Sequence, residues 1–255
     1  MTQPMNIASA IRQSGMTDER ADAVIAMTLD GGVVHWDEGA ERLFGYTDDE
    51  VRGRSIFDLI VLADQAKGKR EILEETVEDG DSSYECIYRR KDGSMFYCES
   101  SSKILVDPRD GQKFIVSSKT DVTQLTLART MKEVNEKFGT LLESMPDGII
   151  ITSLTGHIVL ANGRTESIFG YQPGELVGQL LEILIPERYR ASHTKSRDAY
   201  FANPHIRSMR SGINLHGLRK DGTEFPVDIS LSPLQPHGSA LTVSAVRDIS
   251  GRTTV

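Results

Sequence analysis

The sequence predicts an α+β protein built from two copies of one domain, each a five-stranded antiparallel sheet with helices on one face, joined by an amphipathic linker helix. Three observations carry this expectation. The chain of 255 residues repeats: Asp30-Gly31, Phe44-Gly45-Tyr46, Glu50-Val51 and Gly53 return as Thr155-Gly156, Phe169-Gly170-Tyr171, Glu175-Leu176 and Gly178. The offset is about 125 positions, too long for a solenoid and right for tandem globular domains. Further on, Arg90-Lys91-Asp92-Gly93 returns as Arg219-Lys220-Asp221-Gly222, and Lys119-Thr120-Asp121-Val122 as Val246-Arg247-Asp248-Ile249. Secondly, each copy passes from a hairpin pattern through helical periodicity back to strands. Thirdly, a heptad pattern separates the copies.

The expected boundaries are a cap helix at 1–16, a first domain at 17–123, the linker helix at 124–145, a second domain at 146–251 and a tail at 252–255. Ile7, Ala8 and Ile11 fall at helical spacing before Ser14-Gly15, which predicts the short lead-in helix. The apolar run 23–29, closed by Asp30-Gly31-Gly32 and resumed at 33–36, reads as a hairpin, and 149–154 with 157–160 repeats it. Ala40, Leu43 and Phe44, then Ile168 and Phe169, mark short helices broken by Gly-Tyr. Strands are expected at 83–90, 94–106 and 113–121, and again at 212–219, 223–234 and 240–248. A turn over Lys91-Asp92-Gly93 pairs Arg90 with Ser94 and sets Cys86 opposite Cys98. A two-residue turn would shift the register by one and part them, so the register stays open.

Between the domains, Leu127, Met131, Val134, Phe138, Leu141 and Met145 are spaced 4, 3, 4, 3 and 4 residues apart, a heptad seam. Lys132, Glu133, Asn135, Glu136 and Lys137 supply a mixed-charge wet face. The expectation is a coiled-coil-like homodimer; the alternative is an amphipathic helix lying on its own domain.

Composition narrows the function classes. A net charge of −8 offers no basic field for nucleic acid or anionic membrane. No apolar run reaches the roughly 20 residues of a spanning helix, and 1–13 lacks the pattern of a signal peptide, so a cytoplasmic protein is expected. Two cysteines are too few for a disulfide scaffold or a structural zinc site. The chain has no G-x-x-x-x-G-K loop, no H-E-x-x-H and no G-x-S-x-G, so no enzyme is expected and catalytic output is assigned to a partner or another domain.

On Phe44-Gly45-Tyr46, Glu50, Gly53, the Arg-Lys-Asp-Gly hairpin and Thr120-Asp121-Val122, with their counterparts in the second half, both copies resemble PAS domains, the sensory modules of bacterial signalling proteins such as two-component systems. The resemblance implies a homodimeric input module in which a small-molecule ligand or cofactor, held between helices and sheet, biases the exit helices toward a downstream signalling domain or protein.

Two cofactors are candidates. The segment Ile185-Pro186-Glu187-Arg188-Tyr189-Arg190 with His193 is similar to the stretch of rhizobial oxygen-sensor kinases in which a histidine ligates haem iron, which makes His193 the candidate ligand of a haem b and of its metal. Those sensors place an arginine over the gas where this chain has Ile213, and another after the ligand where it has Ala199; Met209 or Arg210 would have to serve instead. In the first domain Trp36, Tyr84, Tyr88 and Phe96 are candidates to flank the isoalloxazine ring of a flavin such as FAD, while Arg54-Ser55-Ile56 lacks the cysteine of blue-light flavin domains. Aromatics on adjacent strands also simply pack. Cys86 and Cys98 read either as a thiol redox pair or as two small apolar side chains. The remaining class is a ligand-free interaction module.

Overall fold

The computed structural model describes residues 21–107, 109–202, 204–209, 215–234 and 241–251. The expected cap helix at 1–16, the tail at 252–255, and Arg210 and Ile213 lie outside them. The chain divides into two compact units, Met1–Gln124 and Leu125–Val255.

Unit 1 runs β1 (Ala23–Met27), β2 (Val33–Trp36), three short helices α1 (Glu38–Phe44), α2 (Asp48–Val51) and α3 (Ile56–Leu59), a longer α4 (Ala66–Asp79), then β3 (Asp81–Arg89), β4 (Met95–Val106) and β5 (Lys113–Asp121). Its antiparallel sheet has the order β2-β1-β5-β4-β3, so the early hairpin docks beside the last strand. Local chemistry sets the short helices. Asp37 accepts the Ala40 N–H at 2.7 Å to cap α1, and Gly45, at φ 79°, ends it in a left-handed conformation that costs glycine nothing.

Unit 2 contains α5 (Thr123–Glu143) almost entirely, then β6 (Gly148–Ser153), β7 (Ile158–Ala161), α6 (Gly163–Phe169), α7 (Glu187–Ala202), β8 (Arg207–Ser208), β9 (His216–Leu218), β10 (Glu224–Leu234) and β11 (Leu241–Asp248). The order β7-β6-β11-β10 repeats that of unit 1. Of the strand expected at 212–219, positions 212–214 lie outside the described residues and β9 occupies His216–Leu218, pairing with Glu224 to Pro226; β8, which was not expected, pairs with Ser230 and Leu231. Among the described residues the sheet has six strands where five were expected, the added one being β8.

The residues that repeat in the sequence form one clamp in each unit. In unit 1 the Arg90 Nε donates to the Leu43 carbonyl at 2.8 Å, its Nη2 meets Asp121 at 2.7 Å, and its guanidinium lies 4.1 Å over the Phe96 ring. Lys91 pairs with Glu50, and its N–H donates to Phe44. In unit 2 Arg219 bonds the Ile168 carbonyl and Asp248 and lies 3.8 Å over Phe225, while Lys220 pairs with Glu175. Each clamp ties the α1-like helix, the central hairpin and the last strand together, which explains why these residues recur.

Candidate functional site

The hairpin of unit 1 closes with the Arg90 N–H donating to Ser94 at 2.8 Å, and this register places Cys86 directly opposite Cys98. Because side chains alternate along a strand, Tyr84, Cys86 and Tyr88 of β3, Phe96, Cys98 and Ser100 of β4, and Lys119 of β5 share the face that α4 covers. Helix α4 buries Lys69, Leu73 and Thr76, the i, i+4, i+7 stripe, against it.

Three of the candidate flavin residues come together, but on one another. Trp36, Tyr88 and Phe96, each 3% exposed or less, surround Phe44 at centroid distances of 5.2, 5.8 and 5.5 Å. Those are contact distances for aromatic rings. An isoalloxazine does not fit between rings that already touch, and the residues read as core. Tyr84 lies apart, its hydroxyl accepting from Ser100 at 2.9 Å and its ring 4.1 Å below the Lys69 ammonium.

The polar groups of this interior are what the sequence reading missed. Lys69 and Lys119 are 5% and 0% exposed, and no carboxylate acts on either among the described residues. Lys119 Nζ donates to Ser100 Oγ at 2.5 Å; Lys69 Nζ and the Tyr88 hydroxyl have no hydrogen-bond partner. Burial drives both lysines below their ordinary range, and for Lys69 the second ammonium adds to it. The Cys98 thiol beside it, and more weakly Lys119 and Lys69, hold the Cys86 thiol down at about 6, whereas burial pushes Cys98 up. Burial also raises the Tyr88 phenol. A period-two reading of 82–88, 98–102 and 117–119 would have exposed this polar inner face, since hydroxyls, thiols and a lysine occupy alternate positions that a covered sheet normally fills with aliphatics.

In unit 2, His193 lies on α7 with its ring 31% exposed, and its Nδ1 sits 3.0 Å from Glu182 Oε1. Arg197, one turn on, reaches the same oxygen at 2.8 Å and is nearly buried. Its guanidinium occupies the place a side chain on Gly156 would take, so the β6–β7 turn must be glycine for this triad to assemble. Burial opposes the Glu182 charge, but the hydrogen bond from His193 and the Arg197 charge outweigh it and hold the carboxyl below its ordinary value. The same face of α7 borders a cavity of about 70 Å³, lined by Arg197, Tyr200, Phe201, Met209, Leu231 and Thr242 among others. Cofactor pockets run to about 300–1,000 Å³. A haem does not fit that space as it stands, although a carboxylate on Nδ1 leaves Nε2 as the ligating nitrogen, as metal-bound histidines require.

On α5, Leu127 and Val134 are buried within the single chain, Met131 and Phe138 are half-buried, and Leu141 is 59% exposed while its neighbour Leu142 is buried. The buried face therefore drifts off the heptad by one position toward its end. No helix among the described residues is long and apolar enough to cross a membrane, and none of their His, Cys, Asp and Glu form a cluster of three.

Family comparisons agree with this architecture. Residues 21–124 match the PAS domain family and residues 136–249 the PAS fold family. The chain is a tandem PAS sensory protein, with one α+β PAS domain in each unit. It is 34% identical over 111 residues to the sensor protein FixL of Bradyrhizobium diazoefficiens, a match covering 43% of this chain and 22% of that protein. An uncharacterised protein of Azorhizobium caulinodans is 30% identical over 115 residues, 45% of this chain and 16% of the relative. The chain thus spans under a quarter of the length of these curated relatives. Among solved structures, the PAS domain of an HTR-like protein from Haloarcula marismortui is 21% identical, covers 49% of this chain and 99% of that one, and superposes with a TM-score of 0.39.

Proposed function

We propose that this chain is the homodimeric, cytoplasmic input module of a bacterial signalling protein, binding a small ligand or reporting redox state inside a PAS domain and passing a conformational bias along α5. It has no catalysis of its own in this reading; the output belongs to a further domain or a partner. The observation that supports it is how α5 is tied at each end. At its start, within unit 1, the Thr123 N–H donates to Asp121 of the last strand at 2.9 Å, and the Thr123 hydroxyl accepts from the Tyr97 N–H at 3.0 Å. At its end, within unit 2, Asn162 Nδ2 donates to the Leu142 carbonyl at 2.9 Å, and Glu143 accepts the Gly163 N–H. A ligand that shifts β5 would pull on this helix, and the response is bounded by the ligand's difference in affinity for the two arrangements. Hydrogen exchange along 123–143 with and without a bound ligand tests this; unchanged protection in α5 at saturation refutes it.

A haem-based gas sensor through His193 is the second reading. The Glu182–His193 pairing and the FixL likeness favour it; the small cavity and the isoleucine at 213 weigh against it. The absorbance of the purified protein decides. A Soret band that disappears in His193→Ala supports haem, and a colourless protein rejects it.

A further inference from the structure

We propose that the interior of the first PAS domain is a binding site for a small oxyanion, a carboxylate or an inorganic equivalent, held between the ammonium groups of Lys69 and Lys119 with the Tyr88 hydroxyl as a third donor. Lys69 enters from α4 and Lys119 from β5, and their nitrogens lie 5.5 and 5.3 Å from the centroid of the same Tyr88 ring. A lysine carries three N–H donors. Lys69 uses none of them, and Lys119 has one bond, to Ser100.

The Ser100 hydroxyl accepts from Lys119 and donates to Tyr84, and no carboxylate ends the cluster among the described residues. The ring of Tyr84 under Lys69 offers cation–π attraction, which eases a buried ammonium but satisfies none of its N–H groups. Among the described residues, two thiols, Cys86 and Cys98, are the other ionisable neighbours acting on both lysines. Unpartnered buried donors are rare in folded proteins because each forfeits its hydration. Two inward ammonium groups without a carboxylate are what an anion with several acceptor oxygens would complete.

The other domain supports the assignment by contrast. Strand register makes Val246 the counterpart of Lys119 and Ile229 the counterpart of Ser100, since each pair lies opposite across its strands two positions in from the closing Asp248 or Asp121 clamp. Unit 2 thus builds the same sheet with no polar group at those places, so the sheet itself does not call for Lys119.

The inference rests on the sensory reading only in placing a ligand between helices and sheet; the assay below reads binding alone, so it can fail while signalling through α5 stands. Trp36 is the single tryptophan and sits in the unit 1 core, so its fluorescence reports that unit. The 255-residue chain would be titrated with sodium acetate, oxalate, nitrate and phosphate, with ionic strength held by a bulky sulfonate buffer, and Trp36 fluorescence and thermal unfolding followed. The expected result is saturable stabilisation by at least one anion, weakened about 10- to 100-fold in Lys69→Met and in Lys119→Val, the scale of a lost charge-assisted hydrogen bond. Tyr88→Phe keeps the ring and should weaken binding less, which guards against a lysine variant that fails to fold. Lys91→Met, on the exposed Glu50 pair, should leave it unchanged. Absence of saturable binding by all four anions overturns the proposal, as does binding that survives both lysine substitutions.

Discussion

The two PAS domains share a frame and differ in what they enclose. Each has the same strand order, the same arginine bridging a helix end, an aromatic ring and the last strand, and the same lysine–glutamate pair beside it. Inside the frame, Gly217 of unit 2 holds the register position that Tyr88 holds in unit 1, and a side chain at Gly217 would run into Phe169 and Phe225. Ring packing fills the second core where the first has a phenol, two thiols and two lysines. The repeated residues are thus scaffold, and the copies diverge in the groups they enclose.

The residue preceding the first helix after the hairpin provides the largest expected break between the units. Asn162 is fully buried and bonds Ile149, Thr165, Leu142 and Asp147, whereas its counterpart Asp37 caps α1 through Ala40. Asn162→Ala should cost about 2–4 kcal/mol, the sum of several lost bonds and orphaned backbone groups. Asp37→Ala should cost about 1 kcal/mol, a lost cap. Circular dichroism for the whole chain and Trp36 fluorescence for unit 1 separate the two effects.

The clamps should instead behave alike. Arg90→Ala and Arg219→Ala are each expected to destabilise their own unit by about 1–3 kcal/mol, discounted for ion pairs roughly a quarter exposed. A large effect in one unit and none in the other would mean the frame is not shared.

Acid and alkali should also distinguish the domains. The Glu182 carboxyl is held below 4.5, so its contribution to unit 2 is full above that value and is lost as pH falls through the lower folded one. Lys119 and Lys69 run the other way. Their lowered values mean the unfolded chain holds protons the fold does not, so unit 1 should gain stability as pH rises toward 10.5. Denaturant midpoints for Trp36 across pH 7–10 read that slope, to which the lowered Cys86 thiol adds in the same direction; the lysine share is the part lost in Lys69→Met with Lys119→Val, and no loss would mean the lysines are paired.

The smallest expected effect is on assembly. Phe138→Glu with Leu141→Glu changes the accessible part of the α5 seam and should lower the solution mass toward that of a monomer while barely altering the melt. A dimer that persists would place the contact elsewhere.

Much of the frame was legible in the sequence because glycine turns, the Arg-Lys-Asp-Gly hairpin and period-two strands are local signals. The Cys86–Cys98 register was not, since it depends on which turn the hairpin adopts. His193 was visible from its motif, but its partner Glu182 lies eleven residues earlier, beyond any helical spacing. Lys69 and Lys119 were missed for a different reason. A lysine in a helix reads as a solvated charge, and only the sheet order brings α4 and β5 over the same tyrosine.

The stability of the Lys69→Met, Lys119→Val double variant, followed at Trp36 near neutral pH without added anion, bears most directly on whether unit 1 keeps its lysines for a ligand. Apolar replacement of buried amino groups that lack partners is expected to stabilise the domain by about 1–3 kcal/mol. A variant less stable than the parent chain would show that the lysines hold the fold together, and would contradict the anion site.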